Sequence, residues 1–217
     1  MKYWPSVSRI VADLEAILKT AEAHLAVGRF AEARAAAEEA FALAPGDGRV
    51  RELYANVWLA QGIRLAGSAR ERRRQEIEER GRPGEPFEDS EQVRSLFAEV
   101  IEAFDRVLAV NPNHAKAWSL KSQVLFRIDR SNRAAALAAY DSAVRALEAS
   151  VPEGRSRETG RRNLERDRRR IEAPCKACED TGFCPECGGS GWRSTLGFRR
   201  KCEACLGHGI CKRCGVL

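Results

Sequence analysis

Eight cysteines are the residues of this chain whose type and spacing point most directly to chemistry. They stand as four Cys-x-x-Cys pairs: Cys175/Cys178, Cys184/Cys187, Cys202/Cys205 and Cys211/Cys214. All fall within residues 175–217, and no cysteine precedes them. A Cys-x-x-Cys turn delivers two thiolates to one side of a metal, and its backbone N–H groups can face the sulfurs. Glycine just after the second cysteine permits the positive φ that such turns use. Four pairs therefore supply two complete four-thiolate sites, and structural zinc, which takes four soft ligands in a tetrahedron, is the expected occupant, with two Zn²⁺ per chain. A domain this small cannot build a sufficient apolar core, so metal binding is expected to supply its folding energy. The competing chemistry is thiol–disulfide exchange, which also uses Cys-x-x-Cys. Eight matched thiols suit two closed metal sites better.

What positions these pairs, and what precedes them, is helical. The 217 residues are rich in Ala, Arg, Glu and Leu and poor in Tyr, a composition that favours helix. No apolar run of ~18 residues occurs, so no membrane span is expected. The start, "MKYWPSVSRIVADLEAILKT", lacks a signal-peptide core, which sets the expectation of a cytoplasmic protein. In a reducing compartment paired cysteines are metal ligands more often than disulfides.

From Ile10, apolar residues recur at helical spacing through Leu14, Ile17, Leu18, Ala21 and Leu25, and Gly28 stops the run. A second helix then ends before Pro45 and Gly46. This hairpin, "AEAHLAVGRFAEARAAAEEAFALAPGD", resembles a tetratricopeptide repeat, with Gly28 and Phe30 at the turn and Ala33, Ala37, Ala40 and Phe41 on the second helix. The second-helix frame returns as Val100, Phe104, Val107 and Leu108, and again as Ala136, Tyr140, Ala143 and Val144, with Trp118 in the first-helix Trp position. In the first hairpin Ile17 and His24 stand where the family has Trp and Tyr. Pro45 and Pro112 are 67 residues apart, where one repeat takes about 34. The excess predicts a first helix lengthened to about Arg80, a Gly/Pro loop, and a new helix capped by Asp89 or Ser90. The other reading of residues 1–152 is an ordinary helical bundle with Ala-rich seams. The resemblance implies a stack of hairpins with a concave groove for a peptide or protein. Members that grip the carboxylate tails of heat-shock chaperones use Lys and Asn on first helices. Here only Lys116 and Lys121 offer themselves, so that ligand is not expected, although both are candidate partner contacts. His24 and His114 have no nucleophile or acid partner in sequence, and no catalytic role is expected for them.

Residues 153–172 form an Arg-rich connector. Glu153–Arg157, Glu158–Arg162 and Glu165–Arg169 are spaced i, i+4 with the acid first, and only Leu164 and Ile171 are apolar. This predicts a solvated helix that caps the repeat stack or spaces the two halves. The alternative is a phosphate-contacting patch, Arg161–Arg170, for RNA or DNA. The formal charge of +6 concentrates here. Residues 1–152 carry 22 basic and 22 acidic side chains, whereas residues 153–171 carry eight Arg against four acids.

The cysteine segment, residues 173–217, includes two complete Cys-x-x-Cys-x-Gly-x-Gly units, "CPECGGSG" and "CEACLGHG". It is similar to the cysteine-rich zinc domain of DnaJ-type chaperones. The resemblance implies a V-shaped β-hairpin scaffold in which the first pair shares a zinc with the fourth, and the second with the third. Site one would be Cys175, Cys178, Cys211 and Cys214, and site two Cys184, Cys187, Cys202 and Cys205. Asp180 stands where glycine is usual, the fourth unit lacks its glycines, and no His-Pro-Asp of a J domain occurs. Trp192 and Phe198 lie between the inner pairs, flanked by Arg193, Arg199, Arg200 and Lys201. They either pack the finger against the rest of the chain or form an aromatic-basic tip that touches a client.

The expected fold is mostly α, a tetratricopeptide-like hairpin stack followed by a small two-zinc β-hairpin domain. The expected function is non-enzymatic: an adaptor or chaperone-like assembly factor that docks a protein partner and engages a second partner or unfolded client. No membrane contact and no small-molecule substrate are expected. Nucleic-acid binding and thiol–disulfide exchange are the alternatives.

Overall fold

In a computed structural model that describes residues 7–214, seven α-helices precede one β-hairpin. The helices are α1 (Val7–Ala26), α2 (Phe30–Leu43), α3 (Gly48–Arg80), α4 (Glu91–Val110), α5 (Ala115–Ile128), α6 (Arg133–Ser150) and α7 (Arg155–Glu172). A single 3₁₀ turn, Arg130–Asn132, joins α5 to α6. The strands β1 (Trp192–Thr195) and β2 (Phe198–Lys201) pair antiparallel, Trp192 opposite Lys201 and Thr195 opposite Phe198.

Helices α1/α2, α3/α4 and α5/α6 are three hairpins, and α7 packs on α6. The small residues of the repeat frame sit in the seams: Ala33, Ala37, Ala40, Ala136 and Ala143 are buried, which lets paired helices approach closely. Phe41 reaches the next hairpin, its ring centroid 4.6 Å from that of Tyr54. Val93, Phe97, Val100 and Phe104 on α4 pack with Val124 on α5. The last stack element is α7, whose Leu164 and Ile171 join Phe126, Tyr140 and Leu147. The narrow apolar stripe of the connector therefore caps the stack, while its other faces stay in water.

The caps fall where side-chain chemistry dictates. Asp47 accepts from Arg49 N and Val50 N at the start of α3, and Ser90 Oγ accepts from Val93 N at 3.2 Å at the start of α4. His114, for which no catalytic role is expected, caps α5 by accepting from Ala117 N at Nδ1. Burial holds the His114 imidazole below its ordinary pKa of 6.5, which suits an accepting nitrogen.

The lengthened α3 and the loop over residues 82–89 are the shelf on which the cysteine domain rests. A buried charge network stiffens it. Arg73 pairs with Asp89 and its guanidinium lies 4.7 Å from the Phe97 ring centroid. Glu76 is 1% exposed, accepts from Ser90 Oγ at 2.6 Å and meets Arg80 at 2.7 Å. Burial opposes its charge, but the Ser90 hydroxyl and the guanidiniums of Arg80 and Arg72 hold it below the ordinary 4.5. A carboxylate depressed on folding contributes stability that is complete above its unfolded pKa and is lost as pH falls through the folded one. The Glu76→Gln protein should be less stable than wild type at neutral pH. It should also lose less further stability between about pH 5 and about pH 3, measured by urea unfolding at each pH.

Candidate metal centres and their docking face

The cysteine domain is a nested fold. Its outgoing and returning arms meet at an isolated antiparallel bridge, Phe183 opposite Ile210, the single residues that separate adjacent eight-residue cysteine–glycine units. Around it Cys184 N donates to Gly209 O at 2.8 Å and Cys211 N to Gly182 O at 2.9 Å. That pairing brings the first cysteine pair to the fourth and the second to the third. The Sγ atoms of Cys175, Cys178, Cys211 and Cys214 lie within 4.8 Å of one another, as do those of Cys184, Cys187, Cys202 and Cys205. Sulfurs about 2.3 Å from a tetrahedral zinc stand about 3.8 Å apart. Cys187 and Cys205 are 3.7 Å apart, Cys184 and Cys202 4.0 Å, and Cys178 and Cys214 3.3 Å. Both clusters therefore fit a metal ion of zinc's size and preference.

Electrostatics point the same way. Burial, with Cys205 close by, pushes the Cys187 thiol up to about 12, and burial beside Cys178 and Cys175 raises Cys214. Burial also works against Cys211, but the backbone N–H groups of Cys214 and Arg213 bring it down to about 7. Burial opposes the Cys202 thiolate too, but the backbone N–H groups of Cys205 and Ala204 lower its pKa, so each cluster mixes a thiol ready to ionise with one that resists. A divalent cation at the centre would let all four ionise together.

Among the described residues the turn after a second cysteine is left-handed with or without glycine. Glu179 (φ 50°), Gly188 (φ 59°) and Leu206 (φ 57°) all adopt it. The expectation that glycine serves this position is corrected for two of the three units. A non-glycine residue there costs about 1–2 kcal/mol, which metal ligation can offset. At the following position Asp180 (φ 64°) replaces the usual glycine. Its carboxylate accepts from Cys175 N at 3.2 Å and pairs with Arg133 at the start of α6. The residue that departs from the pattern thus ties the domain to the helices. The second glycine of each unit answers a close approach: a Cβ on Gly209 would overlap the Gly189 carbonyl.

Site two is buried throughout, whereas Cys175 and Cys214 of site one are partly exposed. Site one faces α5 and α6, and Arg130 Nη2 donates to Cys214 Sγ at 3.7 Å. Site two faces α3 and its loop. Phe87 N donates to Gly188 O at 3.0 Å, and the Phe87 and Phe183 rings meet edge-on at 6.2 Å. Ile77, 1% exposed, packs under Gly191 and Gly209.

Of the tip residues, Trp192 is half-buried and its Nε1 donates to Ile77 O at 3.4 Å. Arg199 stacks 3.8 Å from the Trp192 ring centroid and donates to Glu78 O, and Lys201 pairs with Glu78. Phe198 and Leu196 instead project, 70% and 93% exposed, beside exposed Arg193 and Arg200. Lys116 is exposed on α5; Lys121 pairs with Asp105 on α4. The docking residues Ile77, Phe87, Arg130 and Arg133 carried no sequence signal of their own. The one available clue was Asp180, a charge where the pattern has glycine.

Tetratricopeptide-repeat family models match residues 14–57 and 94–152. The helical half is therefore a tetratricopeptide-repeat fold, interrupted between the two matched segments by the long α3 and its loop, and followed by a small cysteine-rich hairpin domain. No curated protein matches the chain. Repeats of this kind generally mediate protein–protein contacts. No helix among the described residues is long and apolar enough to cross a membrane.

Proposed function

We propose that this protein is a non-catalytic, zinc-binding adaptor of chaperone-like type, working in the cytoplasm. Its hairpin stack docks one protein and its cysteine domain presents a second contact to another protein or an unfolded segment. The observation that carries the reading is the pair Leu196 and Phe198 on the turn of β1–β2, apolar and open to water, with Arg193 and Arg200 beside them. Exposed large apolar side chains on a docked hairpin offer a contact surface. The similarity of the cysteine segment to the DnaJ-type zinc domain supports the client-binding half of the reading.

The connector gives the nucleic-acid alternative little support. Arg161 and Arg162 pair with Glu158, Arg168 with Asp141 and Glu172, and Arg170 with Asp167. Thiol–disulfide exchange is disfavoured by the burial of six of the eight sulfurs.

The test is a reconstituted aggregation assay with a chemically unfolded reporter, together with nuclease-treated affinity purification. The double variant Leu196→Ser/Phe198→Ser should keep its metal and fold, yet lose suppression of aggregation by about tenfold in concentration. Unchanged suppression by the variant, or capture that disappears on nuclease treatment, would overturn the reading.

A further inference from the structure

A cavity of about 720 Å³ lies between the inner face of the stack and the cysteine domain. Helix α3 supplies Arg70 and Arg73, α5 supplies Phe126 and Arg127, and the turn after α5 supplies Arg130. Tyr140, Ile171, Phe183 and Ile210 give it an apolar wall. Its size is that of small-ligand sites, about 300–1,000 Å³.

The charges inside do not balance. Each lining carboxylate already has a partner, for two of them within the lining itself (Arg73 and Arg170). Asp89 holds Arg73, Asp180 holds Arg133, Asp167 lies against Arg166 and Arg170, and Asp129 accepts from Ser131 N. Among the described residues neither Arg127 nor Arg70 pairs with a carboxylate, and Arg130 meets only the site-one thiol, its Nη2 donating to Cys214 Sγ at 3.7 Å. Arg130 Nη1 is buried without a hydrogen-bond partner, its guanidinium 3.9 Å from the Phe126 ring centroid. Arg73 Nη2 donates to Arg127 O at 3.4 Å, so these guanidiniums belong to one neighbourhood. Burial, with Arg70, Arg73 and Arg130 around it, pulls Arg127 down to about 10. A buried charge left uncompensated is among the most costly arrangements in a folded chain. Several guanidiniums converging on one space are matched by a compact, multiply charged anion. Their forked N–H donors suit phosphate oxygens.

We infer that this cavity binds a small phosphate-bearing molecule, its phosphates held by Arg70 and Arg127 with Arg130 beside them, and its body lying along Phe126, Tyr140 and Ile171. The enclosure favours a small molecule over a nucleic-acid strand, because the cysteine domain walls off one side of the space. The inference is independent of the adaptor reading, which places its contacts on the hairpin turn and not in this cavity.

The probes are sodium pyrophosphate, ADP and adenosine, each added to zinc-loaded full-length protein at matched ionic strength. Calorimetric titration and thermal melting are the readouts. Pyrophosphate and ADP should bind and raise the melting temperature, and adenosine should do neither. Arg127→Gln should melt at the wild-type temperature or above it without anion, because a buried like charge is gone. It should also bind ADP at least about tenfold more weakly. Arg70→Gln, on the exposed rim, serves as a second variant that cannot fail by misfolding and should weaken ADP in the same direction. Arg161→Gln, outside the cavity, should change nothing. The inference fails if neither anion binds at millimolar concentration or if both cavity variants bind ADP like wild type. It also fails if single-stranded oligouridylate binds more tightly than ADP and depends on Arg161.

Discussion

Cys202→Ser protein should carry one metal ion per chain at most, against two in the wild type, and its cysteine domain should no longer protect Trp192. Cys202 has no exposed surface and sits at the junction of site two with β2. Its backbone N donates to Gly191 O at 2.8 Å, so the ligand also closes the ladder. Among the described residues the domain's buried positions are mostly its own cysteines, and no apolar core remains when the metal leaves. Structural zinc supplies about 10–16 kcal/mol of apparent folding energy in domains of this size. A hydroxyl in place of one thiolate forfeits a large part of that. The helical half has its own core of Ala, Val, Leu and aromatic residues, so its helical content should persist. Elemental analysis with near- and far-UV circular dichroism checks this. Two metal ions retained, or helix and hairpin lost in one transition, would contradict the independence claimed for the two halves.

The second large effect concerns the joint. Ile77→Asp should release the cysteine domain from α3 while leaving both metal ions bound. Ile77 is almost wholly buried, its methyl groups fill the hollow under Gly191 and Gly209, and its carbonyl accepts from Trp192 Nε1. Removing the side chain forfeits about 2–5 kcal/mol of packing. Burying a carboxylate without a partner adds several more, so undocking is the cheaper outcome. The nearest close approach reinforces the point: a Cβ on Gly81 would overlap the Ser190 carbonyl, so the two halves touch backbone to backbone. Undocking should expose residues 82–89 to limited proteolysis and enlarge the particle in small-angle scattering. Zinc content unchanged with a compact particle would show that other contacts, such as Arg133–Asp180, suffice.

Much of this architecture is written locally. Alanine and aromatic residues at fixed places on a helical period specify hairpins, because only small side chains permit the close seam and only a large one fills the gap beyond it. The Ser90 cap and the Gly28 turn are satisfied within a few residues of themselves, so their positions could be read directly. The cysteines are similar. A spacing with two residues between the cysteines is a property of one turn, and four such turns predict two sites. Which pair meets which is not local. It was available only through likeness to a known zinc domain, and in space it follows from the Phe183–Ile210 bridge.

The sequence by itself determined the helical hairpins, the cap of α4 and the eight metal-seeking thiols, because each depends on interactions within a turn or between neighbouring helices. Tertiary structure alone decided that the long α3 and its loop form a shelf for the cysteine domain. It also decided that Trp192 packs inward while Phe198 faces water, and that Arg70, Arg127 and Arg130 converge on one cavity. Those outcomes depend on which surfaces of distant segments face each other. A guanidinium or an indole on an exposed-looking helix or strand carries no mark of its partner until the chain has closed around it.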